Sequence, residues 1–495
     1  MRGFEKAFLA ATLLAGIGAG LLSAYGTWGV AGEWQWQHAA VARVRWWMPV
    51  APAIALTVFA VWLLRRARRD ARVSAAWGLA FVLLAFILQL STLAMAPAST
   101  VTAGAVILSP VATTYFTEAA KAPDLREFLR DYANRMRTFS QHAQTYPPGP
   151  ILFFWCRQQI VERSPAVRAF VSYLIVAVTG LTPADLAAVY SRLYRTPVTP
   201  ALAAAAILSA WQLGFLGCVS ILVIFVLARA RWGAAAAVCA GALAATVPSL
   251  ILFTPSILQF ITLETALTLY LFHLAWSRRS AAWAIAAGAM WTISALTSLA
   301  MLAIPPLLVL WAAADGLGRK TQRPSGSAWP VVLAWLGGAL GLFALAYLIL
   351  GINFPAIMRS ALAAHREVTT RVFARTYWRW LGWNPFDFWM FLGAGLGLWL
   401  LRQLSVEAAA ARRQWATLTP LLWAVAITLA ALDISGVVRA EVGRIWMFLM
   451  IPAAAAVGRF IAARDHAEVA LGVILIAQLA QIWAFQTNRA LFVVL

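Results

Sequence analysis

The sequence predicts an all-α, polytopic membrane protein, and three observations support this fold class. Hydrophobic residues make up 62% of the 495 residues and charged residues only 12%, whereas a soluble domain is about half apolar and about a quarter charged. Several apolar runs reach the roughly 20 residues that a helix needs to cross the hydrocarbon core of a bilayer. Arginines lie at the ends of these runs, where they can anchor to lipid phosphate. The composition therefore excludes a soluble enzyme and a disordered chain.

Apolar segments of suitable length predict about 13 transmembrane helices. They are 6–27, 47–64, 75–96, 201–228, 233–252, 257–276, 281–299, 301–314, 329–351, 387–402, 416–432, 445–462 and 467–486. Pro305 and Pro306 leave open whether a turn or a kink separates the two segments around residue 300. The apolar stretch 149–183 is broken by charges and by Pro165, and we expect it to lie in the membrane interface instead of crossing.

Basic residues in the short connections orient the bundle. They are Arg65, Arg66, Arg68, Arg69, Arg72, Arg229, Arg231, Arg278, Arg279, Arg319, Lys320, Arg323, Arg402, Arg412 and Arg413. Under alternation they share one side, which the positive-inside rule makes cytoplasmic. We therefore expect the N-terminus inside, the C-terminus outside, and the long polar segments on the outer face.

This topology divides the chain into five regions. Residues 1–96 hold the first three helices and an acid-bearing first outer loop, and 97–200 form an outer segment with amphipathic, interfacial helices. Residues 201–351 hold the central helices. Residues 352–386 form an outer loop rich in arginine and aromatic residues, and 387–495 hold the C-terminal helices.

The formal net charge of +21 would suggest nucleic-acid binding in a soluble protein. Because the arginines flank apolar spans, membrane lipids are the expected partners and nucleic acid is not. The three cysteines show no metal-ligand spacing. The sequence contains no phosphate-binding glycine loop, so a nucleotide-driven pump is not expected.

The first outer loop contains one acidic residue, Glu33, between Gly32 and Trp34. A carboxylate beside a membrane-facing cleft can take the proton of an acceptor hydroxyl during sugar transfer. A low-dielectric setting would raise its pKa toward a useful value. The alternative is a solvated loop glutamate flanked by interfacial tryptophans.

The second outer segment combines an amphipathic helix with a stiff turn. Helix-start signals at Asp124 precede apolar residues at helical spacing, which predicts a helix on the membrane surface. The segment then reaches His142 and the run Tyr146–Pro150, in which three prolines and one glycine predict a defined turn. The turn either holds His142 and Tyr146 over a cleft or is only a rigid start to the next apolar segment.

Arginines and aromatic residues are interleaved in the outer loop 352–386. Arg375 and Arg379 lie there among Phe373, Tyr377, Trp378, Trp380 and Trp383. One interpretation is an aromatic–arginine belt at the level of the lipid headgroups. The other is a site for a phosphate-bearing lipid, because a guanidinium matches phosphate oxygens with two parallel hydrogen bonds.

Three charges, Arg439, Glu441 and Arg444, lie where the twelfth predicted helix enters the bilayer. A charge at that depth is costly unless it is paired or in use. The arginines either form a structural ion pair with Glu441, or Arg444 holds a phosphate at the cleft. A further acid, Glu264, lies inside the sixth predicted helix, where a structural and a catalytic role both remain open.

Two short motifs and the topology resemble the GT-C superfamily of membrane glycosyltransferases. The run Tyr146–Pro150 is similar to a His-Pro-Pro-Gly-Pro turn of bacterial GT-C-like proteins, with Tyr146 in place of the histidine. The run Arg439–Trp446 is similar to their Arg-Gly-Glu-x-x-Arg-x-Trp run. Many such enzymes carry an Asp-containing or paired-acid motif in the first loop, whereas this loop has Glu33 alone, which makes Glu118 a second candidate base.

The resemblance implies inverting transfer of a sugar from a polyprenyl-phosphate-linked donor to a lipid or glycan acceptor. It implies that transfer takes place on the outer, periplasmic face of the bacterial inner membrane, with Glu33 or Glu118 as the base. Cations would stabilise the departing phosphate, where negative charge develops. The implied binding residues are His142, Tyr146, Arg375, Arg379, Arg439, Glu441 and Arg444.

Two other functions remain open from the sequence. A transporter or lipid flippase would show internal repeats, broken helices and midplane charges. A non-catalytic subunit of an envelope assembly complex would depend on partner contacts instead of Glu33 or Arg444. No cofactor is firmly expected, and a divalent metal stays possible. The enzyme hypothesis requires Glu33, His142 and Arg444 to face one cavity at the outer boundary.

Overall fold

The protein is described by a computed structural model that covers residues 3–38, 45–69, 73–122, 124–318, 328–411 and 418–489. Within these residues, eight helices are long and apolar enough to cross a membrane, and two bent helix pairs would bring the number to ten. The chain is therefore an all-α, multi-pass membrane helix bundle, and this prediction is confirmed. The orienting residues Arg72, Arg319, Lys320, Arg323, Arg412 and Arg413 lie outside the described residues.

The N-terminal region contains three helices and a small hairpin. Its elements are α1 (Gly3–Tyr25), β1 (Gly29–Val30), β2 (Trp34–Gln35), α2 (Val50–Arg69) and α3 (Ala76–Leu93). The two strands are antiparallel, and Glu33 lies in the turn between them. Gly29 and Gly32 have positive φ angles of 114° and 78°, which glycine adopts without steric cost. The tight reversal that they allow makes a hairpin of a segment predicted only as a loop.

The outer segment 97–200 folds into short helices. They are α4 (Ser99–Leu108), α5 (Tyr115–Ala120), α6 (Leu125–Arg130), α7 (Tyr132–Arg135), α8 (Gln141–Gln144), α9 (Gly149–Arg163), α10 (Pro165–Thr179) and α11 (Pro183–Tyr194). Asp124 accepts hydrogen bonds from two backbone N–H groups at the start of α6, as an N-cap does. The amphipathic helix thus forms where it was predicted. Its apolar residues Phe128 and Leu129 nevertheless pack inside the protein, because Met136 and Phe139 offer an apolar surface there.

The central region is built around one long helix. The elements are α12 (Pro200–Trp232), α13 (Ala234–Ala245), α14 (Pro248–Leu252), α15 (Ile257–Arg278), α16 (Ala281–Thr297), a 3₁₀ turn (Leu299–Ala303), α17 (Ile304–Gly318) and α18 (Trp329–Leu350). Two predictions change in detail. The segment 233–252 is split before Pro248, which has no N–H for a continuing helix. The chain breaks at Ser298, so a turn separates α16 from α17, and Pro305 lies in the first turn of α17.

In the C-terminal region, helices extend through much of the segment that was predicted as an outer loop. Its elements are α19 (Phe354–Glu367), a π-helical turn (Val368–Val372), α20 (Tyr377–Leu392), α21 (Ala394–Ala411), α22 (Pro420–Ser435), α23 (Val442–Ile445), α24 (Met447–Ala462) and α25 (Ala467–Asn488). The segment 352–386 is therefore mostly helical and not a loop. Gly393, with φ of 108°, separates α20 from α21, and the two helices meet at 113°.

The two ends of the bundle carry different polar contacts. At one end, Arg68 after α2 bonds to Glu468 of α25 at 3.1 Å, and Arg231 of α12 pairs with Asp315 of α17. Each contact joins elements whose ends were predicted to lie on the cytoplasmic side. At the opposite end, the hairpin, α8 and the turn before α23 converge near the start of α20, and this end holds the candidate site.

Candidate functional site

A cavity of about 440 Å³ lies at this second end of the bundle. Its walls come from the segments around α5 and α8, the start of α15, the 3₁₀ turn, α19 with its π-helical turn, and the turn leading into α23. Most of the lining is apolar. The polar and charged lining residues are Thr113, Tyr115, Gln141, His142, Thr145, Tyr146, Ser256, Ser298, His365, Thr369, Arg375, Ser435, Glu441 and Arg444. Five predicted site residues therefore share one cavity.

An ion-paired carboxylate forms the charged part of the lining. Arg444 Nη2 donates to Glu441 Oε1 at 2.5 Å, and Arg375 Nη2 lies 3.5 Å from Glu441 Oε2. Burial raises the pKa of Glu441, but the charges of Arg444 and Arg375, together with the hydrogen bond from Arg375, lower it more, so the pKa lies below its ordinary value. Glu441 is therefore ionised. Among the charged residues of the described lining, two guanidiniums face one carboxylate, which leaves one positive charge in excess.

Arg375 is fixed by backbone contacts as well as by Glu441. Its Nη1 donates to the backbone oxygen of Arg439, and Arg439 Nη1 donates to the backbone oxygen of Arg375, both at 2.5 Å. Arg375 is only 8% exposed, and its Nε has no hydrogen-bond partner among the described residues. A buried donor without a partner is costly. A bound anion would supply the missing acceptor.

The turn that carries Glu441 has an unfavourable backbone. Ala440 and Glu441 have φ angles of 75° and 59°, a region that residues other than glycine seldom adopt. Two side chains of α20 hold the turn. Asn384 Oδ1 accepts from Ala440 N at 3.1 Å, and Asp387 Oδ2 accepts from Gly443 N at 2.8 Å. Strain of this kind persists only where the surroundings enforce it.

His142 and Tyr146 lie on the facing wall. The Tyr146 ring packs edge-on against Tyr115, with centroids 5.2 Å apart, and Tyr132 Oη donates to the Tyr146 backbone oxygen at 3.1 Å. Burial, together with the charge of Arg444, lowers the pKa of His142 to about 4. The imidazole is therefore neutral at physiological pH. Its side chain makes no hydrogen bond in the described part of the chain, so it is free to meet a ligand.

Gly149, in the stiff turn after Tyr146, explains how closely this wall approaches α16. A Cβ on Gly149 would lie 2.6 Å from the backbone oxygen of Leu296 and 2.7 Å from Cα of Thr297. A side chain at this position would push the turn away from the helix. Close packing against α16 therefore explains why position 149 is a glycine.

Glu33 occupies a different environment from the cavity. Its carboxylate accepts from Thr376 N at 2.7 Å, from Trp380 Nε1 at 2.8 Å and from Arg379 Nη1 at 3.3 Å. Burial raises the pKa of Glu33, but the hydrogen bonds and the Arg379 charge lower it more, so the net pKa is below the ordinary value. In the described structure Glu33 is not among the residues that line the cavity.

The other predicted residues lie beside the cavity. Glu118 is buried, and its Oε1 accepts from Lys121 Nζ at 3.1 Å and from Ser140 Oγ at 3.3 Å. Arg379 is 61% exposed and pairs with Glu33, while Arg439 clamps the backbone at Arg375. Among the described residues, the cavity lining does not include Glu33, Glu118, Arg379 or Arg439. The required convergence therefore holds for His142 and Arg444 but not for Glu33.

Several lining residues were not predicted. His365 Nε2 donates to the Val437 backbone oxygen at 2.7 Å, and burial lowers the pKa of His365. Tyr115 and Thr369 also line the cavity. Asn384 and Asp387, which support the turn, were missed as well. Their only signal in the sequence is a pair of polar residues at helical spacing in an otherwise aromatic run.

Two further features concern the metal and Glu264. Within the described residues, no group of three or more His, Cys, Asp or Glu side chains could hold a metal ion. Glu264 of α15 is buried and accepts from Thr297 Oγ1 at 2.8 Å. It is not part of the described cavity lining. This contact favours the structural role for Glu264, since Thr297 lies against the Gly149 turn.

Comparison with known proteins adds little to this geometry. No family model matches the chain, and no curated protein matches it. An Archaeoglobus fulgidus oligosaccharyltransferase, solved in complex with zinc and sulfate, is similar in structure, with a TM-score of 0.32 and 16% sequence identity. The match covers 62% of this chain and 44% of the archaeal chain, which is less than half of its length. At this TM-score the likeness carries no argument about function.

Proposed function

We propose that the protein is an integral membrane glycosyltransferase of the GT-C type. It transfers a sugar, with inversion, from a polyprenyl-phosphate-linked donor to an acceptor on the outer face of the bacterial inner membrane. The observation that supports this proposal is the unbalanced charge of Arg375, Arg444 and Glu441 in a mainly apolar cavity. The excess positive charge suits a phosphate, and the apolar wall suits the chain that carries it.

The rim of the cavity suits a lipid that arrives from the side. Leu362, Phe373 and Val437 line the cavity and are exposed, at 42%, 36% and 47%. On a helix bundle in a bilayer, exposed apolar residues face lipid. A polyprenyl chain can therefore lie across this rim while its phosphate reaches Arg375 and Arg444.

The proposed reaction is a displacement at the anomeric carbon. The acceptor oxygen attacks that carbon, and the bond from the carbon to the phosphate oxygen breaks with its electrons going to the phosphate. Arg444 and Arg375 stabilise the negative charge that develops there. The acceptor proton goes to a base on the protein.

For this base the geometry favours His142. Its imidazole lines the cavity without a hydrogen-bond partner in the described structure, whereas the oxygens of Glu33 and Glu118 receive protein donors. The nearby arginines help to keep the pKa of His142 at about 4. A bound phosphate would offset their charge and raise this pKa toward the ordinary 6.5. Glu33 and Glu118 remain the alternative bases that the family resemblance implies.

Binding of a minimal lipid phosphate tests the proposal. We expect purified protein to bind farnesyl phosphate and not farnesol. R375A and R444A should each weaken binding by about tenfold or more, because a charge-assisted hydrogen bond is lost. The matched control is R366A, which removes an exposed arginine of α19 outside the described cavity lining. Equal binding of farnesol, or equal loss in R366A, would contradict a phosphate site in the cavity.

A second experiment separates an enzyme from the alternatives. Membranes that contain the protein should consume a labelled polyprenyl-phosphate sugar, and deletion of the gene should remove a glycan or glycolipid seen by mass spectrometry. A flippase would move the lipid across vesicles without breaking its sugar bond. An assembly subunit would keep its role in R444A. Either result would replace the glycosyltransferase proposal.

A further inference from the structure

The structure assigns Asp387 as the positioning residue of the anion-binding turn, through which the first outer loop acts on the cavity. Asp387 lies in α20, is 3% exposed and contacts neither arginine of the cavity. It acts through the turn at residues 439–444. The inference rests on the proposed function only for the identity of the ligand.

Asp387 joins two distant parts of the chain. Its Oδ1 accepts from Trp36 Nε1 at 2.6 Å, and its Oδ2 accepts from Gly443 N at 2.8 Å. Trp36 follows the hairpin strand β2, and Gly443 lies two residues after Glu441. One buried carboxylate therefore connects the first outer loop to the turn that presents Glu441 and Arg444.

The turn depends on support from both sides. Asn384 holds its first half, since it accepts from Ala440 N and donates to the Val438 backbone oxygen at 3.0 Å. Asp387 holds its second half through Gly443. The two left-handed residues, Ala440 and Glu441, lie between these supports. A backbone in this region relaxes when its surroundings no longer enforce it.

Gly443 allows the carboxylate to approach. A Cβ on Gly443 would lie 2.1 Å from the Phe391 ring, so no larger residue fits while Phe391 stays in place. Its backbone oxygen also accepts from Ser249 Oγ at 2.7 Å. The glycine of the Arg439–Trp446 run is therefore required by packing, and its N–H is aimed at Asp387.

The indole of Trp36 is held as firmly as the turn. Its ring contacts Phe391 and Phe253, with centroids 4.9 and 5.6 Å away. Arg489 Nη1 donates to the Trp36 backbone oxygen at 2.8 Å. These contacts fix the indole so that its N–H points at Asp387. Glu33 binds the start of α20 at Thr376, so the same hairpin segment contacts both ends of this helix.

A carboxylate is required at position 387 because both of its partners are donors. In D387N one side-chain oxygen would be replaced by an amide NH₂, which would face either the indole N–H or the Gly443 N–H. One hydrogen bond would be lost and two donors would oppose each other. We expect the turn to loosen on its Gly443 side, and Arg444 to lose its fixed position.

Hydrogen exchange and ligand binding test the inference together. In D387N, backbone exchange in the peptide spanning 438–446 should accelerate by about tenfold or more, and farnesyl phosphate affinity should fall by about tenfold. W36F, which keeps the ring and removes the N–H, should show smaller changes of the same kind. The control is D315N, which alters a carboxylate that is 4% exposed at the opposite end of the bundle. It should lower Tm without changing exchange in 438–446 or the affinity.

The outcomes separate this inference from the proposed function. Unchanged exchange in 438–446 in both D387N and W36F overturns the positioning role. If D387N does not fold, W36F alone tests the positioning role. Faster exchange in 438–446 in W36F supports that role, and unchanged exchange overturns it. A wild-type protein that binds no farnesyl phosphate, together with faster exchange in the variants, refutes the ligand and keeps the positioning role. A lower Tm in D387N with an unchanged affinity for farnesyl phosphate would show that Asp387 has a structural role only.

Discussion

The two ends of the bundle bury charged side chains in opposite ways. At the end opposite the cavity (the closed end), Arg231 pairs with Asp315, and these side chains are 7% and 5% exposed. Glu407 of α21 accepts from Thr419 N at 2.7 Å, from Trp423 Nε1 at 3.0 Å and from Gln403 Nε2 at 2.9 Å. At the cavity end, Arg375 and Arg444 exceed the single charge of Glu441. Each end has a buried guanidinium Nε without a partner among the described residues, on Arg231 and on Arg375. The difference therefore lies in the pairing of charges: Arg231 meets one carboxylate, whereas Arg375 and Arg444 share one.

This difference separates a structural charge from a functional one. A buried ion pair that is balanced and hydrogen-bonded holds elements together, and removing one partner is costly. Charge that is left unbalanced beside a cavity is unfavourable for the empty protein, and the anionic ligand that we propose would offset it. The comparison predicts that changes at the closed end affect stability, and changes at the cavity end affect binding and rate.

The largest expected effect is on the closed end. R231A would remove the arginine that pairs with the buried Asp315, whose other carboxylate oxygen accepts from the Trp276 indole. Loss of one partner of such a pair costs about 3–5 kcal/mol of unfolding free energy. We expect a much lower Tm in detergent and an unchanged farnesyl phosphate affinity for the protein that remains folded. A parallel loss of affinity would show that the two ends are not independent.

At the cavity end, R444A should reduce sugar transfer by about 10²–10³, as does removal of one donor to a developing oxyanion. Tm should change less than in R231A, because Glu441 keeps Arg375 as a partner. R444K should restore part of the rate, since a lysine replaces the charge but not the two-pronged geometry. A wild-type rate in R444A, measured under the same donor concentration, would remove Arg444 from the mechanism.

Replacing the proposed base should reduce the transfer rate by a smaller factor, and the two candidate bases should differ. H142Q should lower the transfer rate by about 10², whereas E33Q should lower it less, because the Glu33 oxygens already accept three protein hydrogen bonds. Rates of both variants at saturating donor check this. The reverse order would return the role of base to Glu33, as the family resemblance implies.

The smallest effect is a pH dependence of stability. The pKa of His142 is about 4 in the folded protein and 6.5 as the ordinary value, so the unfolded chain takes up the proton first as the pH falls. The stability that neutral His142 contributes is present above 6.5 and is lost progressively toward 4. Tm of the wild type should therefore fall more between pH 6.5 and 5 than Tm of H142Q.

The carboxylates of Glu441 and Glu33 do not titrate in this pH range. Glu441 and Glu33 have pKa values below the ordinary 4.5, so their contribution to stability is present above 4.5 and is lost only at lower pH. Identical Tm curves for the wild type and H142Q between pH 6.5 and 5 would show that His142 is not buried as described.

The helices could be predicted because membrane spans leave a strong signal in composition. Each predicted range overlaps a described helix, and the differences arise at single residues such as Pro248 and Gly393, where backbone geometry overrides an apolar run. The helical content of 352–386 was missed because its arginines and aromatic residues resemble an interfacial loop as much as a helix.

Five predicted site residues line the cavity, and the signals that indicated them were charges at the membrane boundary and two short motifs. Arg375, Glu441 and Arg444 converge because charges at the membrane boundary need partners. The position of Glu33 could not be predicted, since its donors at Thr376 and Trp380 are more than 300 residues away in the chain. The role of Asp387 could not be predicted for the same reason: its helical spacing from Asn384 does not show that its donors come from Trp36 and Gly443, which are distant in the chain.

The exposed rim at Leu362, Phe373 and Val437 also determines how the proposed enzyme would meet its donor. A lipid that enters sideways never leaves the bilayer, so encounters follow two-dimensional diffusion in the leaflet. The rate would then depend on the mole fraction of donor among the surrounding lipids and not on its bulk concentration. Dilution with inert phospholipid, at a constant amount of donor and protein, would slow turnover.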